Sequence, residues 1–99
     1  MIRHVVLMSF LDPADAPEAK ARLEALAGLP PVRALEAGVD VLRTDASADL
    51  FLVTSHEDLD GLTAYQQHPD HQDFLAWVRP RLRARTVVDA EVPERLTGR

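Results

Sequence analysis

Residues 4–10 read His-Val-Val-Leu-Met-Ser-Phe, and a polar Asp12-Pro13 turn signal follows them. A compact apolar run that ends at such a signal predicts a β-strand. Because side chains alternate across a strand, the even-numbered residues from 4 to 10 share one face and the odd-numbered residues from 5 to 9 share the other. Both faces are largely apolar. This strand is therefore predicted to be covered on both sides, by the domain's own helices on one side and by a second surface on the other.

The rest of the chain alternates between helical and extended patterns. Apolar stripes at helical spacing predict helices, and short apolar runs between polar turns predict strands. The elements predicted after the first strand are a helix over residues 17–28, a strand within 32–43, a strand over 50–55, a short helix after Asp58, a helix from Pro69 to about Leu82, and a strand over 85–92. This β-α-β-β-α-β order is the ferredoxin-like arrangement, an α+β fold with a four-stranded antiparallel sheet and helices on one face.

Three local signals set boundaries within this order. Asp15 is predicted to cap the first helix, with Glu18 three residues later as in a capping box. Gly38 is predicted to introduce a bulge or bend into the second strand. The residue before Pro69 is predicted to leave the helical conformation, which separates the last two helices.

The length of 99 residues suits one domain that spans residues 1–99. An apolar sheet face left in water would be an aggregation hazard for a protein of this size. Pairing of two copies through these faces removes the hazard, so the chain itself is the predicted partner in a two-fold homodimer.

Composition argues against several classes of protein. The formal net charge of −5 and the pI near 5.2 disfavour nucleic acid or an anionic membrane as a partner. The chain contains no cysteine, which excludes disulfides, thiolate metal sites and a cysteine nucleophile. No segment contains the about 18 consecutive apolar residues that a membrane-spanning helix needs. The apolar N-terminal run also lacks the features of a signal peptide. We therefore expect a cytoplasmic protein.

The candidates for catalysis are His4, Tyr65 and His71. The first lies on the sheet face predicted to meet the helices, and the last lies on the apolar stripe of its helix. A histidine can take or give a proton near neutral pH, and a tyrosine hydroxyl can donate to a developing oxyanion or enolate. With His71 as base, His4 as its partner and Tyr65 as donor, the set suits proton abstraction next to a carbonyl. The predicted pocket-lining residues are Val6, Met8, Leu62, Leu75 and Trp77.

An alternative role for the same three side chains is structural. Polar groups aimed into an apolar space can satisfy one another and hold the helices to the sheet. Spacing by itself favours this alternative over catalysis, and it stays open here.

The remaining histidines are assigned other roles. His68, just before Pro69, is predicted to cap or close the junction between two helices, and His56, at the end of a strand, is predicted to be exposed. Although His68 and His71 lie three residues apart beside acidic residues, no third ligand is evident, so neither a metal nor a cofactor is predicted. The basic run at residues 79–85 is interpreted as a solvated helix end.

Three features occur together: His4 early in the first strand, the segment Tyr65-x-x-His68-Pro69-x-His71 with Phe74, and a closing Val87-Val88-Asp89 strand. In this combination nearly the whole chain resembles the stress-responsive A/B barrel domain (Dabb) family. The resemblance implies a homodimer whose two sheets form a dimeric α/β barrel. The family includes plant proteins linked to stress and a plant polyketide cyclase that closes an aromatic ring without a cofactor. The positions similar to His4, Tyr65 and His71 lie in that cyclase's active site, with the last as the base.

Three functional hypotheses follow. The first is a cofactor-free cyclase or lyase that binds or transforms a small, apolar, polyketide-like carbonyl compound; it requires a cavity of some hundreds of Å³ that touches His4, Tyr65 and His71. The second is a stress-related or ligand-binding dimer without turnover, in which the histidines are structural. The third is a monooxygenase or haem-degrading protein of the wider dimeric barrel superfamily, which is less favoured because no dedicated ligand set is evident.

Overall fold

The computed structural model of the protein describes residues 1–94. Within this range four strands and three α-helices follow one another in the predicted order. They are β1 (Ile2–Phe10), α1 (Ala16–Glu24), β2 (Ala34–Val39), β3 (Leu50–His56), α2 (Leu59–Gln67), α3 (Pro69–Val78) and β4 (Leu82–Glu91). Single turns of 3-10 helix precede α1, at Pro13–Asp15, and follow α3, at Arg79–Arg81.

The four strands form one antiparallel sheet in the order β2-β3-β1-β4. β1 is central and pairs with β3 on one side and with β4 on the other, so that Val6 lies opposite both Leu52 and Val87. The prediction of an α+β, ferredoxin-like fold is confirmed.

The helices cover only one side of the sheet, which we call the helix face. On this face β1 contributes Ile2, Val6, Met8 and Phe10 to a single buried core, and β3 adds further leucines. His4 occupies the same face and is also buried. The central strand therefore carries one imidazole directly into the hydrophobic layer between sheet and helices.

The other side of the sheet, which we call the open face, carries an apolar patch at its centre. Leu7, in the middle of β1, is 43% exposed, and Val88 of β4 is 58% exposed. The other large apolar side chains of this patch are the half-buried Val5, Phe51 and Val53.

Two helices end earlier than predicted. Beyond Glu24 and up to Leu29, backbone amides bond to carbonyls three residues earlier, as the Leu26 amide does to the Leu23 carbonyl at 2.9 Å. These turns are tighter than those of an α-helix, so α1 ends at Glu24. α3 ends at Val78 because Pro80 cannot donate to a helical ladder. Leu82, predicted to close the helix, instead begins β4.

Two local predictions were wrong. Asp15 makes no side-chain bond at the start of α1; Asp12 caps the preceding 3-10 turn instead, through the Ala14 amide at 3.0 Å. Gly38 introduces no bulge, since β2 pairs with β3 in continuous register. The ring of Phe51 lies directly over this glycine, where a Cβ atom would sit 2.4 Å from a ring carbon. Glycine is therefore present because the ring approaches the backbone closely.

No helix in the described part of the chain has the length and apolar character needed to cross a membrane.

The N-cap of α2 is an interaction whose contribution to stability can be measured by mutation. Asp58 is the N-cap, and its Oδ1 accepts the Gly61 amide at 2.8 Å. Asp58→Ala should lower the free energy of unfolding by about 1 kcal/mol, measured by urea denaturation, because this amide loses its partner. Asp60→Ala is the matched control, since it removes the same charge from the same turn without removing the cap. Equal losses in the two variants would show that charge, not the capping bond, stabilises this helix end.

Candidate functional site

Tyr65 and three histidines meet between the sheet and the helices, and we call this group the histidine cluster. The ring centroid of Tyr65 lies 4.6 Å from that of His71, 5.1 Å from that of His56 and 6.4 Å from that of His4. The four side chains come from α2, α3, β3 and β1 respectively. The three predicted catalytic candidates are thus brought together, with a fourth residue that was not predicted to join them.

Tyr65 occupies the centre of the cluster and is fully buried. Its hydroxyl oxygen has no hydrogen-bond partner among the described residues. Burial raises the pKa of Tyr65 to about 12, because the phenolate would be poorly solvated. The hydroxyl is therefore a protonated and unused donor at neutral pH.

His71 is held by a backbone carbonyl near the start of α3. Its Nδ1 donates to the carbonyl oxygen of Gln66 at 3.1 Å, which leaves Nε2 unprotonated in the neutral ring. Burial lowers the pKa of His71, and the neighbouring His4, Arg85 and Arg79 lower it further, while the bond to Gln66 opposes the change. A neutral imidazole with a free Nε2 lone pair can act as a general base.

His4 is oriented by the neighbouring edge strand. Asp89 lies directly opposite it in the pairing of β1 with β4, and its Oδ1 accepts from the His4 Nδ1 at 2.5 Å. The carboxylate fixes the tautomer and the orientation of the ring. Sequence reasoning did not identify Asp89 as a site residue. Its identification would have required the register between β1 and β4, because Asp89 lies 85 residues after His4 in the sequence.

The prediction that His56 is exposed was wrong. β3 runs one residue further than predicted, and the alternation that buries Leu52 and Thr54 on the helix face also buries His56. Its Nδ1 donates to the carbonyl oxygen of Pro31 at 2.7 Å, and its Nε2 accepts from the Thr54 hydroxyl at 2.9 Å. Burial lowers the pKa of His56, so the neutral ring is favoured here as well.

The predicted role of His68 is confirmed. The residue ends α2 and begins α3 in an extended conformation, with φ −62° and ψ 137°, and its Nδ1 accepts the Asp70 amide at 3.1 Å. This junction turns the chain so that Tyr65 and His71 face each other. Within residues 1–94, no three histidine or acidic side chains are grouped so that they could hold a metal ion.

Four of the predicted pocket-lining residues lie in the buried core, namely Val6, Met8, Leu62 and Leu75. Trp77 is half-buried instead, with the guanidinium groups of Arg22 and Arg81 at 4.4 and 4.5 Å from its ring centroid. The side chains of the cluster are closed to solvent in this protomer, since Tyr65 and His56 are fully buried and His4 and His71 are only 2% and 7% exposed.

The arrangement combines three chemical capacities at one place. His71 offers an unprotonated nitrogen, Tyr65 offers a protonated hydroxyl, and His4, oriented by Asp89, offers a second imidazole. Together these groups can remove a proton and stabilise the negative charge that results.

Comparisons with known proteins agree with this architecture. The sequence profile described as the stress responsive A/B barrel domain matches residues 2–92. No curated protein matches the chain. Among solved structures, a dimeric ferredoxin-like protein of unknown function from Thermobifida fusca is similar at 29% identity and a TM-score of 0.82, with 92% of this chain and 90% of that chain covered.

Two further bacterial structures are similar over most of their length. A dimeric ferredoxin-like protein of unknown function from Jannaschia shows 27% identity and a TM-score of 0.75, with 92% of this chain and 98% of that chain covered. A Dabb family protein from Mesorhizobium loti shows 24% identity and a TM-score of 0.70, with 93% and 95% covered. An antibiotic biosynthesis monooxygenase and the hydroxynitrile lyase of Passiflora edulis are each 13% identical, which shows a common fold alone.

The two histidines with lowered pKa predict how stability depends on pH. His56 and His71 bind protons less readily in the folded protein than at their ordinary pKa of 6.5. The unfolded chain therefore binds more protons as the pH falls through 6.5, so the free energy of unfolding should be constant above this pH and decrease below it. Urea denaturation between about pH 8 and pH 5 measures the effect.

The control for this pH dependence is a variant that keeps the bonds to the two backbone carbonyls but removes the titrating rings. In His56→Asn/His71→Asn the side-chain amides can still donate to the Pro31 and Gln66 carbonyls. The decrease below pH 6.5 should become smaller in this variant. An unchanged slope would show that other groups are responsible.

Proposed function

The chain belongs to the stress responsive A/B barrel domain family, and we propose that it works as a homodimer whose histidine cluster binds or transforms a small, apolar, carbonyl-bearing compound of polyketide type without a cofactor. The observation that carries the proposal is the hydroxyl of Tyr65, which is buried and has no partner among residues 1–94. An unsatisfied buried donor costs about 1–3 kcal/mol. A ligand oxygen at this position would remove that cost.

A carbonyl oxygen is the ligand group that fits this donor. It accepts one hydrogen bond readily, and its acceptor strength grows when a neighbouring carbon loses a proton and an enolate forms. Burial keeps Tyr65 protonated, with a pKa of about 12, so the hydroxyl stays a donor throughout the physiological range. The aliphatic residues that surround the cluster, among them Val6, Leu62 and Leu75, favour an apolar body on such a ligand.

The proposed reaction is proton abstraction next to that carbonyl. The Nε2 atom of His71 accepts the proton from carbon, the electron pair moves to the carbonyl oxygen, and the Tyr65 hydroxyl stabilises the resulting enolate. His71 is suited to this step because its lowered pKa keeps the ring neutral and its Nδ1 is already bound to Gln66. The His4–Asp89 pair supplies a second polarised group near Tyr65, with the His4 ring centroid 6.4 Å from that of Tyr65.

Access to the cluster requires movement, because its four side chains are buried. α2 and α3 meet at His68, which belongs to neither helix interior and adopts extended backbone angles. We place the entrance at this junction, where the chain leaves one helical ladder before it begins the next.

The homodimer is supported by the open face of the sheet. Val5, Leu7, Phe51, Val53 and Val88 form a continuous apolar surface on adjacent strands. Two such faces packed together form the core of a sheet-on-sheet interface. Similar solved structures are described as dimeric, which agrees with this arrangement. The acidic, cysteine-free composition supports a cytoplasmic location and a partner other than nucleic acid.

A non-catalytic dimer is the second candidate, and the closed packing of the cluster favours it. His4 is bound to Asp89, and both ring nitrogens of His56 have protein partners, as expected for histidines that hold a sheet to its helices. The two candidates differ in what they require of Tyr65 and His71.

Tyr65→Phe separates the two candidates by stability and binding. If the hydroxyl serves a ligand, its removal should leave the free energy of unfolding unchanged or raise it by about 1 kcal/mol, because an unpaired buried donor is lost. Binding of acetophenone, followed by calorimetry, should weaken at least about tenfold. A clear loss of stability in this variant would favour the structural candidate.

His71→Asn tests the proposed base. The wild-type protein should accelerate exchange of the acetophenone methyl protons with deuterium oxide, observed by NMR, and the variant should lose about 100-fold or more of that acceleration. Gln72→Ala is the matched control, because the Gln72 side chain donates to the same Gln66 carbonyl at 2.6 Å and is exposed. A wild-type rate equal to that of buffer would rule out this chemistry for the ketone.

Leu7→Asp tests the dimer. Sedimentation at micromolar concentration should give a dimeric mass for the wild-type chain and a monomeric mass for the variant, since a charge in the centre of the open face would be buried unpaired. Leu59→Asp is the control, because Leu59 is similarly exposed but begins α2. A monomeric wild-type protein would contradict the proposed assembly.

A further inference from the structure

The connection between β2 and β3 ends in an apolar tip made of Val41 and Leu42. These side chains are 87% and 78% exposed, more than any other large hydrophobic side chain that the described chain exposes. Scattered apolar side chains on a surface are ordinary, but adjacent ones on a projecting turn indicate a contact site.

The turn that carries the tip is tightly braced. The Asp40 amide donates to the Asp49 carbonyl at 2.9 Å, and the Asp40 carboxylate accepts the Arg43 amide at 2.7 Å. Arg43 adopts the left-handed region, with φ 58°, which costs conformational energy for a residue other than glycine. Because these bonds already order the turn, binding through its two apolar side chains would lose little further conformational entropy.

The base of the turn is anchored in the sheet. The buried Asp49 carboxylate accepts the Phe10 amide at 2.7 Å, and the Asp49 amide donates to the Met8 carbonyl at 2.9 Å. The tip therefore keeps a fixed position relative to β1 and the open face.

The base of the turn borders the open face. A shallow cavity of about 190 Å³ is lined both by Asp40, which begins the turn, and by Leu7 and Phe51. Leu7 and Phe51 belong to the apolar surface of the proposed dimer. The turn that carries the tip is therefore adjacent to that surface.

We propose that Val41 and Leu42 dock on the second copy of this chain and form the rim of the interface between the two sheets. This inference rests on the homodimer of the proposed function. In a two-fold assembly the same surface contributes on both copies, so each tip would be covered once by its partner and the contact would occur twice. An anionic bilayer is a poorer occupant, because the two aspartates that flank the tip, Asp40 and Asp45, outnumber its one adjacent cation, Arg43.

The first test measures the strength of the dimer. Val41→Ser/Leu42→Ser should raise the dissociation constant of the full-length dimer at least about tenfold in sedimentation experiments, with unchanged circular dichroism, because both side chains are exposed within one protomer. Leu59→Ser, at a residue 63% exposed on α2, is the matched control and should leave the dimer unchanged.

The second test asks whether the tip itself is covered. Because the chain contains no cysteine, Leu42→Cys provides a single thiol whose reaction rate with a disulfide reagent reports its accessibility. The rate should fall at least fivefold as the protein concentration rises through the dissociation constant. Leu59→Cys should react at one rate throughout.

The outcomes distinguish this inference from the dimer on which it rests. A wild-type chain that stays monomeric overturns both. A wild-type dimer that Leu7→Asp separates, while the tip variant stays as tight as the wild type, overturns the docking tip alone. A Leu42→Cys thiol that reacts equally fast in monomer and dimer also overturns it. Weakened association together with a protected thiol supports it.

Discussion

The alternation of side chains along β1 is the constraint on which the rest of the molecule depends. β1 is bonded to β3 on one side and to β4 on the other, so it cannot rotate or slide without breaking two ladders. The period of two sends His4 into the layer beneath the helices and Leu7 to the open face. A slip of one residue would exchange the two, which would remove the imidazole from the cluster and the apolar patch from the surface.

The polar groups of the cluster are unequally satisfied. His4, His56 and His71 each have at least one protein partner, whereas the Tyr65 hydroxyl has none among the described residues. Domains of this kind are stable by only about 5–15 kcal/mol. One orphan donor is therefore a noticeable cost, and a packed core could have avoided it with phenylalanine. The imbalance is easier to explain for a site that receives a ligand oxygen than for a cluster that only holds the fold.

The sequence predicted the features that depend on local periodicity. The order of elements, the two apolar faces of β1 and the helix junction at His68 all follow from spacing and from proline. The burial of His56 was missed because it depends on whether β3 continues one residue beyond its apolar run. The pairing of His4 with Asp89 could not be read from spacing, since it is set by the register between the first and last strands. The absence of a bulge at Gly38 likewise depends on a cross-strand ring, that of Phe51.

β4 connects the histidine cluster with the open face. It is an edge strand, paired only with β1, and most of its side chains are exposed within one protomer. Asp89 on its helix face holds His4, while the adjacent Val88 points to the open face. In the proposed dimer the partner's sheet would cover Val88 and so restrain the strand that carries Asp89. An edge strand covered in this way loses the freedom to fray. Assembly would then hold the His4–Asp89 pair in place.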